Sequence, residues 1–212
     1  MKYSSLNLAR ISRGLVVAGL LAAGRAVAAG SSLSHEASSF LKEASEGNQG
    51  EIALAELAQQ KSQNPEIKQL AELIQNDHQQ SQEKLQTLAR THGVTLNQGL
   101  TWSQKRSQAK LEKLSGTDFD QQYAKDMLED HVADLNKFQK ASEKIQEADV
   151  KQFVQDNIPK LLAHLQKAES AAKAVGVDPS TISSITSKAP AKGGAGEQNE
   201  QQKGMGKQQQ GY

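Results

Sequence analysis

A chain of 212 residues with 25 Lys and Arg against 24 Asp and Glu has a formal net charge of +1, a balance that supplies no field for nucleic acid or an anionic lipid surface. It has no cysteine, which excludes disulfides and a lipoprotein anchor and leaves stability to packing, with or without a metal. Aromatic residues make up 4% of the chain and Val and Ile are thinly spread, so strands have little support and helical signals dominate.

Residues 1–28 read as a secretory signal peptide. Lys2, Arg10 and Arg13 form a basic n-region, residues 14–24 an uncharged apolar run, and Ala26, Val27 and Ala28 the small-x-small pattern before a cleavage point near Ala29. The run is shorter than the roughly 20 residues that span a bilayer. The expectation is an exported protein of the cell envelope, found in the periplasm, with no integral span after cleavage. An uncleaved anchor is the alternative, and Arg25 in the c-region favours it.

Residues 34–176 form one domain of about 145 residues, an ordinary single-core size. The first helix runs over 34–62, with Ser34 and Glu36 suiting its N-terminus. Its apolar stripe is Ala37, Phe40, Ala44, Gly47, Glu51, Leu54 and Ala58, and Gly47 and Gly50 leave space for a close helix or a ligand. The second runs over 65–92, with Asn64 as N-cap, Pro65 at its first position and Gly93 as C-cap. Its stripe is Ile67, Leu70, Ile74, His78, Ser81, Leu85 and Leu88. A short helix over 102–114 follows, with Trp102 as its core plug. The next, capped by Thr117 or Asp118, runs to 147 on a stripe of Phe119, Tyr123, Met127, His131, Leu135, Phe138, Ser142 and Ile145. Tyr123 belongs to the core with its hydroxyl on a partner. The last long helix, 149–175, carries Val150, Phe153, Asn157, Leu161, His164, Ala168 and Ala172, and Pro159 is expected to kink it. Residues 187–212 are rich in Gly, Gln and Lys and almost free of apolar side chains, so they read as a disordered tail; a protein or polymer partner for that tail stays open. Four long helices with one short extra helix make an all-α four-helix bundle.

Glu51, His78, His131 and His164 each interrupt the apolar stripe of a different long helix. A polar group on the buried face of a helix needs a partner. Glu51 lies 13 residues before the turn near Asn64 and His78 lies 14 after it, so at about 1.5 Å per residue the two are level in an antiparallel hairpin. His131 lies 17 before the turn near Ala148 and His164 lies 16 after it, another level pair. Whether the pairs meet depends on how the hairpins dock. Three imidazoles and a carboxylate would suit a mononuclear transition metal: zinc, iron, manganese or copper. Asp77 and Asp130 each precede a histidine and point about 100° away from it, so they suit acceptors that orient histidines on neighbouring helices. The alternative is a metal-free buried His/Glu network that fixes helix register. His35 and His92 fall at helix ends and stay outside the site. No phosphate-binding loop, nucleophile elbow or cysteine motif is present, so no catalytic residue is assigned.

The order Phe40-Leu41-Lys42-Glu43-Ala44, Gly50-Glu51, Leu57-Ala58, Asn64-Pro65, Asp77-His78, Leu114-Ser115-Gly116, Phe119-Asp120, Tyr123, Asp130-His131, Ile158-Pro159, Leu162 and His164-Leu165 resembles the domain of unknown function 4142. That ferritin-like family consists of exported bacterial proteins, often labelled outer membrane proteins. The resemblance covers about residues 38–172 and implies a ferritin-like bundle in a bacterial envelope, with no settled activity. Nothing in the chain alternates with the period of a barrel strand. Di-iron members of the ferritin-like fold carry Glu-x-x-His on two helices; here Gln75, Leu128 and Leu161 stand three residues before the histidines, which argues against a carboxylate-bridged di-iron centre. Two functions remain: a metal-binding bundle for storage, sensing or redox protection, or a non-catalytic structural or stress-related envelope protein.

Overall fold

A computed structural model describes residues 33–190. Residues 1–28, read above as a signal peptide, lie outside them, as does the expected tail beyond residue 190. Six helices and no strand occur among the described residues: α1 (His35–Lys61), α2 (Pro65–His92), α3 (Trp102–Glu112), α4 (Gly116–Lys144), α5 (Ala148–Ala174) and α6 (Pro179–Thr186). None is long and apolar enough to cross a membrane.

Local chemistry sets the helix ends. The Ser34 hydroxyl accepts from the Ala37 amide, and the Asn64 side chain accepts from the Glu66 and Ile67 amides with Pro65 beside it. Gly93 closes α2 in the left-handed region at φ 67°, where a side chain would be strained. Thr101 and Gln104 form a reciprocal capping box on α3. The cap expected at Thr117 or Asp118 is instead the backbone of Ser115, with no side-chain bond. Pro159 leaves α5 unbroken; it lies on the exposed face together with Gln155, whose carbonyl it cannot serve and water can reach.

The four long helices form a ferritin-like bundle. α1 pairs with α2, α4 with α5, α2 with α5 and α1 with α4. Each pair is antiparallel. The Ser34 amide at the start of α1 reaches Glu147 beyond α4 at 2.7 Å, and Lys61 at the end of α1 lies over the Phe119 ring near the start of α4. Lys167 late in α5 meets Glu66 early in α2 at 2.8 Å, and His92 at the end of α2 meets Asp149 at the start of α5 at 2.7 Å. Hence α2 and α4 run in the same direction, and the link between them must travel the length of the bundle. That single crossover is the ferritin-like topology. It carries α3, which packs against α1 and α4.

Apolar residues of all four stripes fill the core. Phe40, Phe138 and Phe153 weld α1, α4 and α5 at one end, with ring centroids 5.0–6.3 Å apart. Phe119 and Tyr123 stack near the other. α6, absent from the sequence reading, is capped by Asp178 and buries Ile182 and Ile185 against α4 and α5. Trp102 corrects the expected core plug: it is 73% exposed, with the Arg106 guanidinium 5.4 Å from its ring.

Candidate metal centre

The two hairpins dock so that Glu51, His78, His131 and His164 meet midway along the bundle. All four are buried, none more than 4% exposed. Glu51 Oε2 lies 2.9 Å from His78 Nε2 within the first hairpin and 3.6 Å from His131 Nε2 across to the second. His131 Nε2 lies 3.2 Å from His164 Nδ1. One nitrogen from each histidine falls within 4.8 Å of the others.

What lies on the outer side of each ring decides its chemistry. His131 Nδ1 is 2.8 Å from the Met127 carbonyl, an atom that can only accept, so this nitrogen carries the proton. His164 Nε2 is 2.8 Å from the Asp77 carboxylate and donates to it. His78 Nδ1 donates to Asn48 Oδ1 at 2.9 Å. In a neutral imidazole the other nitrogen then bears a bare lone pair. The three inward nitrogens are therefore all acceptors, and they face a carboxylate that is also an acceptor. His78 Nε2 and Glu51 Oε2, though close, are off the line of a hydrogen bond and have no partner of that kind among the described residues.

Electrostatics treat the three rings unequally. Burial alone would raise the Glu51 carboxyl, but His78 and His131 outweigh it and hold the group down at about 2. Burial, reinforced by His131, pushes His164 down to about 4 in spite of its bond to Asp77. Burial also disfavours the charged form of His78, yet Glu51 carries it above the ordinary histidine value.

The three histidine nitrogens are close enough together to hold a single ion, and Glu51 lies beside two of them. Ligands at about 2.1 Å from a tetrahedral ion stand about 3.4 Å apart, and the separations of 2.9, 3.2 and 3.6 Å bracket that figure. His78, His131, His164 and Glu51 would hold such an ion, which could act as a Lewis acid or, if redox-active, as an electron carrier. The Glu-x-x-His positions hold no acid: Leu128 and Leu161 are core residues, and Gln75 bonds Glu56 at 3.2 Å.

Asp77 reaches across from α2 to orient His164 on α5, and Lys160 lies 3.5 Å from its other oxygen. Asp130 does not bond an imidazole. It lines a cavity under α3 together with Glu51 and Asp134. Burial first, then Glu51 and Asp134, push Asp130 up to about 8, and burial and Glu51 raise Asp134 too. Asn48 and Asp134 were missed in the sequence. Asn48 lies three residues before Glu51 and Asp134 three after His131, spacings that put each on the same helix face as a residue of the cluster, which was the available signal. The Met127 carbonyl leaves no trace in residue type. Tyr123 is fully buried, but its hydroxyl has no partner among the described residues, contrary to expectation. His35 is exposed and His92 pairs with Asp149, both outside the cluster.

No curated protein matches the chain. Among solved structures it is similar to a DUF305 fragment from Deinococcus radiodurans, with a TM-score of 0.61 and 12% identity over 68% of this chain and 99% of that one. At that identity the likeness speaks for the helical fold alone. The family described as domain of unknown function DUF4142 matches residues 22–171, a stretch that includes all four residues of the cluster, and the chain belongs to that family.

Proposed function

We propose that this protein is an exported, periplasmic metal-binding bundle that holds one transition-metal ion, zinc, iron, manganese or copper, on His78, His131, His164 and Glu51. Storage, sensing or redox protection are the roles such a site serves. One observation carries the reading: with the three rings neutral, their outer hydrogen bonds turn a lone pair of each toward the cluster beside Glu51. Acceptors gathered in a buried cluster repel unless a cation or a proton lies among them. Export rests on the tripartite pattern of residues 1–28, and N-terminal sequencing of periplasmic protein should begin near Ala29.

Thermal melts with chelator and with each metal test the site. An ion at 100 times its dissociation constant stabilises the fold by about 2.7 kcal/mol. The wild-type midpoint should rise with one of the four metals, and that of His131→Ala should not. A wild-type midpoint that no metal moves would remove the reading.

The 2.9 Å approach of His78 to Glu51 favours a second reading. With His78 protonated, the pair is a buried ion pair that locks the hairpin in register. His131→Ala would then destabilise by about 1–3 kcal/mol, equally with chelator and with metal.

A further inference from the structure

Two openings approach the histidine cluster. One, among Asp77, His78, Lys160 and His164, encloses about 10 Å³, scarcely a single water. The other lies between α1, α3 and α4, encloses about 280 Å³ and ends on Glu51, so it admits several waters at once. Glu51 is the residue common to this cavity and the cluster, is 4% exposed, and has an oxygen with no hydrogen-bond partner.

The walls suit an ion better than an organic molecule. Pockets for organic ligands are mostly apolar and aromatic; here Leu54 and Leu100 are the large apolar side chains, and Gly47 and Ala133 leave the space. Three carboxyl groups, Glu51, Asp130 and Asp134, face one ammonium, Lys137, which is already engaged by Asp134 at 3.0 Å. On the narrow side Asp77 is already engaged by His164 at 2.8 Å and by the Lys160 ammonium at 3.5 Å, so it offers little to an arriving cation.

Building on the metal-binding reading, we propose that the cavity beneath α3 is the entry port of the site, through which a hydrated divalent cation exchanges water for the carboxyl oxygens of Asp134 and Asp130 before reaching Glu51 and the imidazoles. The carboxyl groups replace shed waters stepwise, so the ion never stands bare in the core.

Stopped-flow mixing of the full chain with cobalt(II), followed by visible absorption, tests the port. Gly47 lines the cavity, and a Cβ there would meet Asp134 Oδ2 no closer than 4.0 Å, so Gly47→Leu adds bulk to the cavity from α1. Ala133→Phe fills it from α4. Both should slow association by about tenfold or more while the equilibrium dissociation constant stays within about threefold, because affinity and access are separate quantities. Lys160→Ala, on the narrow side, should load at the wild-type rate. Wild-type loading in both filled variants, or faster loading in Lys160→Ala, would overturn the port. The two filling substitutions lie on different helices, so either variant with a native circular dichroism spectrum decides the matter. Failure of the metal-binding reading looks different: the wild type shows no cobalt absorption even after long equilibration, and the port falls with it.

Discussion

His164 divides its two nitrogens between two duties, giving Nε2–H to Asp77 and turning Nδ1 toward the cluster. Removing the acceptor frees the ring to rotate and exchange tautomers. Asp77→Ala should therefore weaken metal binding by about 10–100-fold in calorimetric titration, and Asp77→Asn, which keeps an acceptor oxygen, should recover most of the loss. The metal-free protein carries opposed pH effects. His164, depressed to about 4, takes up its proton more readily when unfolded, so its share of stability is lost as pH falls from about 6.5 toward 4. Asp130, raised to about 8, has the opposite sign: it keeps its proton when folded and loses it when unfolded, so stability falls as pH rises from about 4 toward 8. Asp130→Asn removes the second effect. With chelator present, its thermal midpoint should gain on the wild type between pH 5 and pH 8; a constant difference would mean that Asp130 is not held neutral.

Among the elements, α3 is the informative one. It buries one large side chain, Leu111, and docks mainly through Gln104, whose amide donates to the Glu46 carbonyl at 2.7 Å. A Cβ at Gly50 would overlap that amide. Gly50→Ala should leave global stability almost unchanged, since the roughly 1 kcal/mol gained in helix propensity offsets the lost bond, yet loosen α3. Limited proteolysis should then cut within residues 93–115 faster than in the wild type. The long helices were legible because each joins a stripe to a cap: Asn64, Pro65 and Gly93 bracket α2 as the sequence implies. Trp102 misled because bulk suggests burial, whereas α3 has too narrow a contact to cover an indole, and the ring stays exposed with only Arg106 over its face. α6 was lost among Ser and Thr, although Asp178, Pro179, Ile182 and Ile185 spell a cap and a buried i, i+3 pair.

At the scale of the molecule, helical rise alone levelled each pair of polar residues, because both turns are short. Docking was not legible. It depends on side chains from separate hairpins meshing, as Phe40 does against Phe138 and Phe153, and no local pattern encodes that mesh. Phe153→Ala should cost about 3–5 kcal/mol in urea unfolding, and loosen the joint between hairpins more than either hairpin itself. If only one hairpin melted early, by hydrogen exchange, the weld would be local.

The crossover also sets an order in time. Glu51 and His78 come from one hairpin and His131 and His164 from the other, with α3 and its flanks translated between them. A growing chain completes the first hairpin while the second does not yet exist, and each hairpin alone offers two donors, too few for a firm hold on an ion. Contacts within a hairpin close quickly, while those between hairpins wait for the long loop. The donor set is thus complete only in a finished fold, and a half-made chain has little with which to capture a stray ion.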